Sequence, residues 1–336
     1  MKSKRDISTF LGFVLAIYLF VLAFRNVAWS ELRIHLMAMD MNTLAFMVAL
    51  SVAGLFFRGI RWWLLLARPV ARHEFWGIQR AMAVSYAVGN VVSRLAELVR
   101  IVIAHQETRR DIPALTGTVV LDRLVFDGAA FGLMLLLALG FNREALISLL
   151  PEALPFVKVL FLLLIAGTAG LLLTAFSPSL VKGVLEVLRI QSIPKIGTAL
   201  IAWVDKMHQG LQVLARPKYL VLASLVNGFV WFLPFYYFII ALHAFGVEAS
   251  YLDMGFVFIL TVVGVLIPSP GGVGSYHFMV TLGLTGLMHL DPNRAGAFAL
   301  VTHGVNYGVL FLVGLPCFFL SRKAVNRRMI VEETVR

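Results

Sequence analysis

The sequence predicts an all-α fold, a polytopic transmembrane helix bundle, on three observations. Hydrophobic residues make up 60% of the chain and charged residues 14%, where a soluble domain carries about 25% charged residues. Mean hydropathy is +0.88. Apolar stretches close to the ~20 residues that cross a bilayer recur from end to end. They leave no room for a separate soluble domain, so residues 1–336 read as a single integral membrane domain.

Six stretches read as full spans: Ser8 to Phe24, Asn42 to Leu66, Ala114 to Gly140, Pro155 to Phe176, Tyr219 to Phe245 and Arg294 to Leu320. The first follows Lys2, Lys4 and Arg5 and so resembles a signal peptide. Arg25-Asn26 stand where a small-residue cleavage site would be needed, and the segment reads as an uncleaved span. Two more apolar regions are broken in the middle. Residues 76–104 are interrupted at Gly89-Asn90, and residues 251–290 at Pro268-Ser269-Pro270-Gly271-Gly272-Val273-Gly274.

Connector charges decide how the broken regions are counted. Arg68, Arg72, His73 and Arg80 precede the first and His105, Arg109 and Arg110 follow it, so both its ends carry the basic bias of cytoplasmic loops. The connector 177–217, with Lys182, Arg189, Lys195, Lys206 and Arg216, and the tail, with Arg322, Lys323, Arg327 and Arg328, carry the same bias. Two re-entrant hairpins and six spans put all of these on one face, with both termini cytoplasmic and an inner-membrane location. The first hairpin then enters from the cytoplasm and the second from the outside, each followed by a long span, the outline of an inverted-topology repeat. No residue-level repeat accompanies it.

The net charge of +11 is explained by this asymmetry, and no nucleic-acid partner is expected. Cys317, the single cysteine, cannot form an internal disulfide. No Cys/His spacing marks a structural zinc site, and no metal or other cofactor is expected. Within the connector, Ile196, Ala199, Leu200, Trp203, Met207, Leu211 and Leu214 recur at helical spacing. Such a helix either lies in the cytoplasmic leaflet or packs on the bundle. A weaker amphipathic stretch spans Trp29 to Met41.

Charges concentrate where they are costly. Arg94, Glu97, Arg100, Asp122, Arg123 and Asp127 interrupt apolar sequence, and each costs at least about 2.5 kcal/mol at the centre of a membrane helix. Three arginines against three carboxylates is the balance a paired buried network requires. Asp122, Arg123 and Asp127 lie roughly 12 to 22 Å along their span, too deep to snorkel. Arg123 and Asp127 are spaced to pair within the helix, while Asp122 points towards Arg94 or Arg100.

At Gly89-Asn90-Val91-Val92-Ser93-Arg94-Leu95-Ala96-Glu97-Leu98-Val99-Arg100 the chain resembles the membrane domain of the lysylphosphatidylglycerol synthase family, the flippase-like proteins. Arg58 and Arg61-Trp62, Asp122-Arg123 with Asp127, and the Pro268 to Gly274 break match further landmarks. The resemblance covers essentially the whole chain. It departs at Val92 and Ala96, where proline and glycine are usual, at Asp122 and His277, where glutamate is common, and at Asp127, one residue further from Arg123 than usual. The soluble aminoacyl-transferring domain of full-length synthases lies outside the match. The resemblance therefore implies a lipid-translocating module rather than synthesis of lysylated lipid by this chain alone.

The residues admit specific roles beside plainer ones. Arg94 and Arg100, flanking Glu97 at helical spacing, suit a bidentate grip on a lipid phosphate, or they snorkel to headgroups. Asp122, Arg123 and Asp127 either take part in transport or staple the hairpin to its neighbouring span. At the second break, Gly271, Gly272 and Gly274 precede Ser275, a candidate helix cap, and with Asn90 they are expected to line the site. His277 and His303 are candidates for a proton relay or for packing. Arg58 and Arg61, beside Trp62 and Trp63, suit the interfacial belt, with headgroup contact as an addition. Asn227, Trp231 and Pro234 mark a kinked, partly polar span with no assigned role.

These readings converge on a translocase for a membrane lipid or a polyprenyl-phosphate-linked precursor. The alternatives are a membrane-embedded transferase or hydrolase acting on a lipid phosphate, with Asp122 or Asp127 as base, and an accessory subunit of a lipid-modifying synthase. A second copy of the chain or a soluble synthase are the protein partners expected.

Overall fold

The computed structural model describes residues 39–66, 72–92, 95–141, 153–189, 196–267 and 269–335, with scattered positions among 17–37 and at 144 and 147. As elements, the predicted first span and the stretch Trp29 to Met41 lie largely outside them, and so do Arg94 and Pro268. Among the described residues the fold is all α-helical, as the sequence predicts, and strands are absent.

Helix α1 spans Met41–Leu65. Asp40 caps it by accepting from the backbone N–H of Thr43 at 3.0 Å. Helices α2 (Arg72–Val91) and α3 (Ala96–Thr108) pack antiparallel as the first hairpin. α4 (Ile112–Leu121) runs into a π-helical stretch, Asp122–Gly128, and on into α5 (Ala129–Phe141), giving one continuous helix. α6 (Ala153–Phe176), α7 (Pro178–Val187) and α8 (Ile196–Leu211) follow, and then α9 (Pro217–Ala244). The second hairpin comprises α10 (Tyr251–Leu266), a 3-10 turn at Pro270–Gly272 and α11 (Ser275–Gly286). α12 (Pro292–Val335) closes the described chain.

Five of these helical segments are long and apolar enough to cross a membrane: Met41–Leu65, Ile112–Phe141, Val157–Phe176, Pro217–Ala244 and Pro292–Arg322. They coincide with five of the six predicted spans, and the two hairpins occupy the two predicted broken regions. The first break lies later than expected. Gly89 and Asn90 are still helical, and the chain leaves the helix after Val91. Without a proline at Val92, hydrogen bonding carries one step beyond the helix, the Val92 N–H reaching the Val88 carbonyl at 2.8 Å.

Close backbone approach sets the packing. A Cβ on Gly314 of α12 would stand 2.4 Å from Ala87 Cβ, and one on Gly210 of α8 would stand 2.1 Å from the Ala114 carbonyl oxygen. Small residues therefore seat α12 on α2 and α8 on α4. The second contact decides the alternatives for the amphipathic connector helix. Its Leu211 is buried in the core with Leu115 of α4, so the helix packs on the bundle, and Lys206 reaches Asp111 at 3.2 Å.

Candidate functional site

The charged residues close into a ring. Arg61 Nε lies 2.7 Å from Asp122 Oδ1, and Arg100 takes the other carboxylate oxygen of Asp122 at 2.7 Å. Arg100 reaches Glu97 at 3.2 Å, Glu97 reaches Arg123 at 2.5 Å, and Arg123 reaches Asp127 at 2.6 Å. Asp127 lies 2.8 Å from Arg61 as an ion pair, which completes the circuit. Each arginine alternates with a carboxylate, and the ring is formally neutral.

The sequence expected three arginines against three carboxylates, with Arg94 among them. Arg61 takes that place, and Arg94 falls outside the described residues. The anticipated Arg100 to Asp122 and Arg123 to Asp127 pairs are both present. Arg61 does not snorkel: it is 1% exposed, held by Asp122 and by the Asn227 side-chain oxygen of α9.

The π-helical stretch explains how Arg123 and Asp127 serve one ring. A wider turn shifts the helical register, and such bulges recur at functional sites. The additional residue between Arg123 and Asp127, noted against the family pattern, lies inside this stretch. Asn227 Nδ2 donates to the carbonyl of Phe126 in the same stretch at 3.3 Å. Asn227 therefore supports both the ring and the irregular backbone. A lone asparagine in a long apolar span was the signal for it.

The ring has a closed half and an open half. Arg61, Arg100 and Asp122 are withdrawn from solvent, and Arg100 stacks 4.0 Å from the Trp62 ring centroid. Trp62 in turn donates to Thr118 at 3.0 Å. Glu97 and Arg123, by contrast, are each 35% exposed at the side chain. Beside them Tyr86 carries Arg123 on its ring at 5.8 Å and Arg58 at 5.5 Å. No carboxylate lies within ion-pair distance of Arg58 among the described residues. Arg58 thus adds a cation at the open edge of a formally neutral ring.

A second polar centre lies where the hairpins meet. Asn90, near the end of α2, shares two bonds with Tyr307 of α12: the Tyr307 hydroxyl donates to the Asn90 carbonyl at 2.7 Å, and Asn90 Nδ2 donates to the Tyr307 carbonyl at 3.2 Å. Gly271 sits against the same carbonyl. Its φ of +61° favours glycine, and a Cβ there would stand 2.3 Å from the Asn90 oxygen. His303 Nε2 contacts the Gly271 carbonyl at 3.0 Å, and the His277 and His303 rings meet edge to face at 4.8 Å. Tyr276 stacks on His303 and donates to Thr302 at 2.8 Å.

This centre joins Asn90, Gly271, His277 and His303, of which the sequence anticipated the meeting of His277 with His303, and it is a packed junction. Ser269, Ser275 and His277 are each at most 3% exposed. Ser275 does not cap α11. Gly274, at φ +85°, precedes the helix, and Ser275 is its first residue, its hydroxyl 2.6 Å from that of Ser269. Gly272 is buried in the turn and accepts from Ser275 at 3.3 Å. Asn306, one turn from His303, is exposed and takes no part in the His pair. Tyr307 at this junction and Tyr86 beside the charged ring are residues that the sequence did not single out.

Within the first hairpin, Arg80 grips Glu107 through two bonds at 2.9 and 2.7 Å. Among the described residues no group of three or more His, Cys, Asp or Glu is placed to hold a metal ion.

A family model described as the lysylphosphatidylglycerol synthase TM region matches residues 9–314. No curated protein and no solved structure matches the chain.

Proposed function

Taking as premise that the chain belongs to the lysylphosphatidylglycerol synthase transmembrane-region family, and is thereby a multi-pass membrane protein tied to lipid metabolism, we propose that it translocates a lipid by receiving an anionic headgroup at the open half of the charged ring. The observation that carries this reading is Arg58. Arg61, Arg100 and Arg123 pair directly with Asp122, Glu97 and Asp127, whereas Arg58 adds a cation beside Tyr86 with no carboxylate within ion-pair distance among the described residues. An arginine is costly at membrane depth unless it meets an anion. A phosphate-bearing headgroup supplies one, and its planar bidentate match with guanidinium favours arginine over lysine there.

Glu97 keeps the site releasable. It shares Arg123 with an arriving headgroup, so binding is an exchange of ion-pair partners rather than the capture of free cations. The acyl chains stay in the bilayer while the head moves past the junction of the hairpins. The bias of basic residues towards the connectors supports a cytoplasmic side for the hairpin α2–α3 and for both termini, and an inner-membrane location is part of the same reading. A membrane lipid or a polyprenyl-phosphate-linked precursor is the substrate class.

Headgroup accessibility in proteoliposomes tests this reading. The protein should accelerate transbilayer movement of at least one class among anionic phospholipids and polyprenyl phosphates over protein-free vesicles. Rates equal to protein-free vesicles for all of them would refute it.

A further inference from the structure

Helix α7 starts where a peripheral span ends. It follows α6 after the single residue Ser177, and α6 is the least buried of the five membrane-length segments. Its last turns expose Leu172, Leu173 and Phe176, so this end of the span faces lipid rather than other helices. Pro178 makes the break. It has no N–H for the Thr174 carbonyl four residues back, and His208 of α8 takes that carbonyl at 3.2 Å through a ring nitrogen, which must therefore donate.

A second contact with α8 sets the rotation of α7. Lys182 pairs with Asp205 of α8 at 2.5 Å, which turns the charged side of α7 towards the connector helix. Leu180, Val184, Val187 and Leu188, at i, i+4, i+7 and i+8, share a different face. They are 58 to 84% exposed, and no residue of α7 is buried. Lys182 and Glu186 fall outside that face. Helix α8 differs, because its Leu211 is buried in the core with Leu115 of α4.

We propose that α7 is an in-plane surface helix, docked by this face on the boundary between headgroups and acyl chains in the leaflet at the C-terminal end of α6. Lipid is the occupant because α6 fixes the level: one residue separates the last exposed apolar side chain of the span from α7, and Phe176 stands four residues before Leu180. An amphipathic helix at that level lies with its apolar face about 5–10 Å into the boundary. With α8 seated on α4, which runs into the stretch that carries Asp122, α7 ties that side of the bundle to the membrane surface.

Spin labels read the docking directly. In full-length Cys317→Ala protein, single substitutions Val184→Cys, Val187→Cys and Leu188→Cys on the apolar face, Glu186→Cys off it and Leu163→Cys on the exposed side of α6 are labelled with a nitroxide. The proteins are placed in nanodiscs of phosphatidylcholine and phosphatidylglycerol, with unfolding midpoints recorded beside the parent. Power saturation with oxygen and with a water-soluble nickel chelate gives the depth of each label.

Labels at 184, 187 and 188 should be open to oxygen and closed to nickel at about 5–10 Å below the headgroups, shallower than 163, while the label at 186 is open to nickel. Three labels share the apolar face, so a variant that fails to fold leaves the others to report. Nickel access at 184 and 187 equal to that at 186 overturns the docking, since the face would then meet water. Closure to both reagents overturns it too, because protein, whether a second copy or another segment, would cover the face. A label at 186 as deep as 184 does the same, since α7 would be immersed. None of these readouts depends on lipid movement, so the translocase and the docked helix stand or fall separately.

Discussion

Arg100 and Asp122 meet at 2.7 Å, and both are withdrawn from solvent. This pair binds the first hairpin to its neighbouring span, because α3 contributes the arginine and the π-helical stretch contributes the carboxylate. Asp122 serves Arg61 through its other oxygen, so one buried carboxylate holds two buried guanidinium groups.

Removing it should be costly. Asp122→Asn is expected to destabilise the protein by about 3–5 kcal/mol, the range for stripping one partner from a buried pair. Glu97→Gln, at the open half, is expected to cost at most about 1 kcal/mol, because a partly exposed pair contributes little. Denaturant unfolding in detergent checks both. Equal losses would mean that the ring is not divided into a structural and an open half.

The junction of the hairpins makes a separate demand. Gly271→Ala places a Cβ against the Asn90 carbonyl at a positive φ and is expected to lower stability by more than about 1 kcal/mol. Tyr307→Phe, which removes one donor and leaves the Asn90 carbonyl without that partner, should cost about 1–3 kcal/mol. Thermal melts of the two variants beside the wild type would show the ordering of these effects.

Helix α8 depends on Gly210. Gly210→Val should lift the helix from α4, because the added carbons collide with the Ala114 carbonyl and a main-chain atom cannot rotate away. The native Lys206 amine and Asp111 carboxylate, 3.2 Å apart, report the seating. Zero-length carbodiimide crosslinking between them should proceed in the parent and be lost when Gly210→Val is added.

Much of this architecture is legible in the sequence because the bilayer simplifies the problem. Apolar length marks the spans, and the basic residues around 68–80 and 105–110 recast the first broken region as a hairpin. The pair of Arg123 and Asp127 follows from their spacing. Arg61 as a ring member does not, since its partner Asp122 is 61 residues away and an arginine beside two tryptophans equally suits an interfacial belt. The π-helical stretch is hidden for a similar reason: one additional residue between two charges has no periodicity of its own, and the supporting Asn227 lies on a distant span. At the second break, the glycines announce irregular backbone but not whether it opens to a cavity. That depends on Tyr307 and His303 of α12, which fill the space above Gly271.

Headgroup recognition at the open half of the ring depends on Arg58, so substitution there is the decisive test. Headgroup movement should be measured for wild type, Arg58→Gln and Arg58→Lys in matched proteoliposomes, with unfolding midpoints recorded for all three. Arg58→Gln is expected to keep its fold and lose about tenfold or more of the rate, as expected for one charge-assisted contact, with Arg58→Lys recovering part of it. A folded Arg58→Gln protein that moves anionic headgroups at the wild-type rate would contradict that dependence on Arg58.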